Sequence, residues 1–270
     1  MEPIGTLLQQ PLAKWKHVLQ TRGWRPRQFH CERCLDTGVI LIQTPQGERA
    51  RLCNCILDTK QRGLEDASRL PPKLREERFE NFSLQYYSAD RIDPETGHSY
   101  RALAAFALQQ AKRFAETDRL KQDPGWLLFM GEVGRGKTHL AASIVNRLLQ
   151  RNEEVLFLVV PDFLEALRES MRRDQGNPVY AQWAYTVPYL VMDDLGVHNY
   201  SEWTVNQIYS LLNERSLYKR PTVVTTNLSL EQIAALLGAR TSSRLIETSQ
   251  ILRLVAEEDI RVRLRREWMG

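Results

Sequence analysis

The octapeptide Gly131-Glu132-Val133-Gly134-Arg135-Gly136-Lys137-Thr138 constrains this chain more than any other stretch, because it directly follows the apolar run Trp126-Leu127-Leu128-Phe129-Met130. It fits the pattern GxxxxGK[ST], and a strand feeding a glycine-rich turn and then a helix is the context in which that pattern has a mechanism. Glycines let the backbone wrap closely enough for successive N–H groups to face phosphate oxygens. The following helix adds its positive N-terminal end. In that frame Lys137 reaches the β- and γ-phosphates and Thr138 holds Mg²⁺. The plain alternative is a Gly-rich turn before an ordinary helix, and the apolar run in front of it argues against that. A nucleoside triphosphate site is expected here.

Around this loop the pattern alternates between helix and strand. Leu103, Phe106, Ala107, Gln110 and Phe114 stripe one helix, and Leu140, Ile144, Val145 and Leu148 stripe the helix after the loop. Val155 to Val160 is a β-branched run ended by Pro161-Asp162, followed by a helix carrying Phe163, Leu164, Leu167 and Met171. Tyr189-Leu190-Val191-Met192 then delivers Asp193 and Asp194 at the C-terminal end of a strand, where open parallel sheets bind ligands. Asp193 is expected to hold Mg²⁺ and Asp194 to polarise the attacking water. A further buried strand, Pro221 to Thr226, ends in Asn227, an amide suited to orienting that water or sensing the γ-phosphate. Alone, it would more often be a turn residue. Arg240 and Arg244 lie four apart, on one face if Ala239 to Leu245 is a helix. They are either surface charges or an arginine finger supplied to a neighbouring copy's nucleotide. Ile251 to Val255 gives a fifth strand and Asp259 to Arg266 a short basic helix.

Cysteine placement is the second signal. All four cysteines, Cys31, Cys34, Cys53 and Cys55, fall in one short segment, with the hairpin pattern Thr37–Ile42, Pro45-Gln46-Gly47, Ala50–Leu52 between the pairs. Four thiolates brought together suit tetrahedral Zn²⁺, and a small zinc ribbon is expected that depends on its metal to fold. Because CxC is tighter than CxxC, His30 or His17 would be an alternative ligand; a disulfide or redox role and plain apolar or unliganded cysteines are the other options.

The chain of 270 residues, 43% apolar, is long enough for one large α/β core with a small appendage. The expected division is an N-terminal domain over 1–65, a linker over 66–98 marked by Pro71-Pro72 and polar stretches, and the nucleotide domain over 99–270. Upstream of the cysteines, Leu8, Leu12, Trp15 and Leu19 repeat at helical spacing, suited to packing or to docking a partner helix. Residues 1 to 62 hold ten Lys/Arg against five Asp/Glu, a tilt that permits polyanion contact. No long apolar run or leader pattern is seen, so neither a membrane span nor secretion is expected, and the location expected is cytoplasmic. For single-stranded DNA the candidate contacts are Arg168, Arg172 and Arg173 with Tyr180, Trp183 and Tyr185, against the plain reading of a solvated face and packed aromatics.

The order GEVGRGKTHL, YLVMDDLG, TTN and GARTSSRL, with FENF at 79–82 and VPDFL at 160–164, resembles the bacterial helicase-loader branch of AAA+ ATPases, the DnaC/DnaI type, together with the related transposition helper IstB. The resemblance covers roughly residues 70 to 265. It implies an α/β AAA+ P-loop core with a five-stranded parallel sheet and a truncated lid. It further implies an ATPase of weak, oligomer- and DNA-stimulated turnover using ATP and Mg²⁺. On it, Gly131, Gly134, Arg135, Gly136, Lys137, Thr138 and His139 bind the nucleotide, and Asp193 and Asp194 form the Walker B pair. Asn227 is then sensor 1, Arg244 the finger with Arg240 beside it, and Arg261 stands where a sensor 2 arginine would fall. The cysteine segment resembles the zinc-binding N-terminal region of loaders. The implied partners are the replicative DNA helicase, single-stranded DNA and further copies of the chain. The alternative is a transposition helper on duplex DNA.

Overall fold

The computed structural model describes residues 31, 34, 39–44, 47–52, 63–173, 178–197 and 200–269. The chain divides into two compact units, Met1–Thr59 and Lys60–Gly270. In the first, β1 (Val39–Thr44) pairs antiparallel with β2 (Gly47–Leu52), Thr44 opposite Gly47 and Val39 opposite Leu52. The hairpin expected between the cysteine pairs is therefore present. Cys34 is buried, whereas Cys53 and Cys55, like the expected helix around Leu8–Leu19, lie outside the described residues. Among the described residues no group of three or more His, Cys, Asp or Glu is placed to hold a metal ion. The expected zinc ribbon thus draws no support from them beyond the hairpin.

The second unit is built on a five-stranded parallel sheet of order β4-β5-β6-β3-β7: β4 (Val155–Val159), β5 (Tyr189–Leu195), β6 (Thr222–Thr226), β3 (Trp126–Met130) and β7 (Ser249–Arg253). A parallel sheet covered on both faces calls for continuous apolar strands, and every residue of β3 is buried. Successive side chains still go to opposite faces. Leu127 and Phe129 join one core with α1 (Tyr100–Glu116) and α2 (Lys137–Gln150). Trp126, Leu128 and Met130 join the other, with α3 (Val160–Arg172), α4 (Val179–Thr186), α5 (Glu202–Leu217), α6 (Leu230–Leu237) and α7 (Ala239–Thr248). Helix starts are set by side-chain caps: Ser99 accepts from the Ala102 N–H, Ser201 from Thr204, and Ser229 forms a capping box with Gln232. A last helix, α8 (Ile260–Met269), follows β7. Among the described residues no helix is long and apolar enough to cross a membrane.

Two expectations change. The fifth strand spans Ser249–Arg253 rather than 251–255, in register with Trp126–Met130 of β3. The stretch 66–98, expected as a linker, belongs to the nucleotide unit: Leu70, Phe79, Phe82 and Tyr87 are buried in its core. The Asn146 amide on α2 donates to the carbonyls of Leu74 (2.9 Å) and Glu77 (2.8 Å), and the Phe157 N–H of β4 donates to the Ser68 carbonyl (2.8 Å). Polar composition marked this segment as a linker. A few well-spaced aromatics, each contributing about 1.5–3 kcal/mol on burial, dock it instead.

Candidate functional site

The site forms where β3, β5 and β6 end. Gly136 caps α2 in the left-handed conformation (φ 85°), and a Cβ there would meet the Tyr87 hydroxyl at 2.7 Å and the Phe82 ring at 2.9 Å. Only glycine fits, because the 79–87 segment presses on the loop from outside. The Tyr87 hydroxyl donates to the Arg135 carbonyl at 2.9 Å, which pins the loop, and burial pushes the Tyr87 phenol well above its usual pKa.

Lys137, the first residue of α2, folds back along the loop and donates from Nζ to the carbonyls of Gly131 and Glu132, both at 2.7 Å. Burial pushes its pKa down to about 8, opposed by the charges of Asp194 and Asp193. Thr138 Oγ1 donates to the Asp193 carboxylate (3.0 Å to Oδ1, 3.2 Å to Oδ2), and Thr225 Oγ1 on β6 donates to Asp193 Oδ1 at 2.6 Å. Burial raises Asp193 to about 6, against the pull of those hydroxyls. A shift in the β5–β6 register lies between Met192 and Leu195. Within it Asp194 adopts a left-handed backbone (φ 60°), and its N–H donates to Thr225 Oγ1 at 3.0 Å. One hydroxyl thus spaces both aspartates. Strain of this kind, of order 1–3 kcal/mol, collects at functional sites.

These residues fit the group that the loop pattern implies. A buried ammonium and backbone donors suit phosphates, while a hydroxyl and a carboxylate 3.0 Å apart offer hard oxygen ligands for Mg²⁺. Arg135 adds a buried cation: its Nη2 donates to Glu132 Oε2 at 2.6 Å, and its Nη1 is buried with no hydrogen-bond partner among the described residues. An orphaned guanidinium N–H beside a phosphate loop suits an anionic ligand.

The other expected residues are distributed unevenly. Asn227 follows β6 directly and is half-buried at the same end of the sheet. Arg261 comes close enough for its charge to act on Lys137 and to feel Asp194, and it is bound by Asp259 (Nε–Oδ1 3.1 Å, Nη2–Oδ2 2.9 Å). His139 turns to the 77–78 segment instead, with Nδ1 2.7 Å from Glu77 Oε2 and Nε2 3.0 Å from the Arg78 carbonyl. Arg244 is held by Asn213 of α5 (3.0 Å) and Glu247 (3.1 Å), and Arg240 is exposed. Of the aromatics expected to meet DNA, Tyr180 packs on Phe163 with the Arg69 guanidinium over its ring at 4.0 Å, and Trp183 and Tyr185 pack partly against the core. Arg168 and Arg173 pair with Glu165 and Glu169, both at 3.7 Å.

Sequence reasoning missed Thr225, Tyr87 and Asp259. The first was legible as a hydroxyl within the strand end TTN. The others act across long separations that no local pattern carries.

Over 140 residues the chain is 33% identical to the replicative helicase loader DnaC of Escherichia coli strain K12, which covers 52% of this chain and 56% of that protein. Over 108 residues it is 28% identical to the replicative helicase loader DnaI of Bacillus subtilis, covering 40% and 34%. The chain spans about half the length of the DnaC relative and a third of the DnaI relative. A crystal structure of DnaI superposes with a TM-score of 0.55 at 22% identity, covering 71% of this chain and 94% of that one, which establishes a shared fold. A family model described as IstB-like ATP binding protein matches residues 104–267, and with the phosphate loop, the aspartate pair and the parallel sheet in place the chain belongs to that family.

Proposed function

We propose that this protein is an ATP-dependent loader that binds the replicative DNA helicase and helps place it on single-stranded DNA. The observation that carries the reading is the joined site of Lys137, Thr138, Asp193 and Thr225 in a chain similar to the replicative helicase loaders DnaC and DnaI. ATP with Mg²⁺ would supply a γ-phosphoryl bond to break and a divalent charge to neutralise its oxygens. Lys137 exchanges its two carbonyl partners for phosphate oxygens. Thr138 and Asp193 would hold the metal through their side-chain oxygens, with Thr225 holding the carboxylate. Asp194 and Asn227 orient the water, and Arg261 senses the phosphates in this reading. Arg244, or Arg240 beside it, acts on a neighbouring copy's nucleotide, so turnover is weak in the isolated chain and rises on assembly and with DNA.

The N-terminal unit is the helicase-docking part in this reading, and its four cysteines form the zinc site. Supporting this, the β1–β2 register closes at Val39 and Leu52, residues that flank the two cysteine pairs in sequence. The second reading, a transposition helper on duplex DNA, has the description of the matching family on its side.

Native mass spectrometry of the full chain with its host's replicative helicase, with ATP and Mg²⁺, tests the proposal, zinc first retained and then chelated. A defined complex that is lost on chelation is the expected result. Absence of a complex, with the protein collecting on duplex DNA instead, would overturn the loader in favour of the transposition helper.

A further inference from the structure

The opposite end of the sheet carries a second charged site. A cleft of about 410 Å³ opens where β5 and β6 begin, between Arg119, Asp123, Tyr218, Lys219 and Arg220. Three of those five side chains are cations and one is a carboxylate. Arg119 has a distant partner in Glu153 at 3.8 Å.

Beneath the cleft, Arg215 of α5 is completely buried. Its guanidinium donates to Thr222 Oγ1 (2.8 Å) and to the carbonyls of Ala184 (2.8 Å), Val187 (2.9 Å) and Pro221 (2.8 Å), with Pro188 at the limit of reach. All its partners among the described residues are neutral oxygens. Carbonyl dipoles satisfy the donors without cancelling the charge. Burial pushes the Arg215 pKa down to about 9, so the group stays charged at neutral pH. An uncompensated cation under a low-dielectric floor projects a positive potential into the space above it.

The rim is also unusual. Helix α5 ends in a double hydrogen-bonded turn, with the Arg220 N–H donating to the Arg215 carbonyl (2.8 Å) and the Lys219 N–H to the Ser216 carbonyl (3.0 Å). That turn places its left-handed residue at Lys219 (φ 48°), where glycine is the usual occupant. A lysine there is strained, and it turns an extra cation to solvent. Beside it, Tyr218 is 62% exposed, although the Arg220 guanidinium stacks 4.6 Å from its ring centroid. One cation-backed aromatic, more than half exposed, beside three cations matches the way single strands are bound: stacking for a base, cations for the backbone.

We propose that this cleft binds a single nucleic-acid strand, with a base stacked on Tyr218 and the phosphodiester backbone passing Lys219, Arg220 and Arg119 above the buried Arg215. It deepens the DNA part of the loader reading and assigns it to a face other than the nucleotide site.

The test uses the full chain, without helicase, and a fluorescein-labelled 20-nucleotide dT strand followed by fluorescence anisotropy over a salt series. Lys219→Gly places the preferred residue in the turn, so the fold is expected to be as stable or more so. Its binding should weaken several-fold and its salt slope fall by about 0.7 for one lost phosphate contact. Tyr218→Ser should weaken binding on the order of 10-fold at constant salt slope. Wild-type affinity in either variant overturns the proposal. So does a Tyr218→Ser protein that loses heparin and the dT strand equally, which would mean a nonspecific anion patch. Because no helicase is present, the result is independent of whether a loader complex forms.

Discussion

The carboxylate of Asp259 lies against the α-carbon of Gly134, so closely that a Cβ on Gly134 would overlap Asp259 Cγ and both its oxygens. Gly134 also has φ 74°, and its carbonyl accepts from the Ile260 N–H at 3.0 Å. The start of α8 is thereby fastened to the phosphate loop, and Asp259 in turn holds Arg261. Gly134→Ala should cost about 1–2 kcal/mol from the left-handed backbone alone. Displacement of Asp259 adds to it. In a double-mutant cycle with Asp259→Ala, the coupling should exceed about 0.5 kcal/mol, measured by thermal unfolding without nucleotide. Strict additivity would mean that the two residues do not act on each other.

The same pair predicts a pH response. Arg261 hydrogen bonds hold the Asp259 carboxyl below the ordinary carboxylate range. A depressed folded pKa means that the stabilisation is complete above the unfolded value of about 4 and is lost as pH falls through the lower folded value. Because Arg261 is largely solvent-exposed and Asp259 only partly buried, the effect should stay under about 1 kcal/mol and shrink in salt. Hydrogen exchange along α8 should accelerate between pH 4 and pH 2.5, after correction for intrinsic rates, more in wild type than in Asp259→Asn.

Lys137→Ala should abolish ATP binding, since it removes the buried ammonium that now rests on the Gly131 and Glu132 carbonyls and that the proposed mechanism turns to the phosphates. Arg244→Ala should bind ATP normally and lose stimulated hydrolysis by a factor of about 10³ or more. Equilibrium dialysis with labelled ATP and a phosphate-release assay separate the two. An Arg244→Ala protein with normal assembly-dependent turnover would rule out the finger, and the exposed Arg240 would be next in line.

The docking of the 66–98 segment rests heavily on Asn146, which is 6% exposed and satisfies two carbonyls. Asn146→Ala takes a donor from both, leaving the Glu77 N–H (3.2 Å) on Leu74 and the Arg78 Nη1 (2.9 Å) on Glu77, and two lost hydrogen bonds should cost about 2 kcal/mol. For a unit of this size that lowers Tm by about 4–10 °C. An unchanged melting curve would mean that the segment is held by its aromatics alone.

Arg215→Leu removes a guanidinium that ties the turn before β5 to the turn before β6 through a single side chain. The carbonyls of Ala184 and Val187 lose the guanidinium, while Pro221 keeps the Leu190 N–H and Thr222 its bond to the Arg220 carbonyl, and a loss of about 2–4 kcal/mol is expected in denaturant titration. A neutral outcome would mean that water enters and replaces the guanidinium.

Local sequence determined a great deal here. The phosphate loop, the apolar strands and Asp193-Asp194 were legible because a strand–turn–helix unit and its chemistry are written in consecutive residues, and because a parallel sheet covered on both faces demands unbroken apolar runs. The hairpin between the cysteine pairs was legible for the same reason. Tertiary structure alone decided the rest. Residues 66–98 have the composition of a linker, yet Phe79, Phe82 and Tyr87 are drawn into the core by burial that no local periodicity announces. His139 sits within the loop motif but faces Glu77, because its position on α2 turns it towards the docked segment. Thr225 bridges the aspartates, Asp259 meets Gly134, and Arg215 reaches the Ala184 and Val187 carbonyls through contacts fixed by strand order and helix packing. Those contacts join residues far apart in the chain, and only the closing of the fold brings them within hydrogen-bond range.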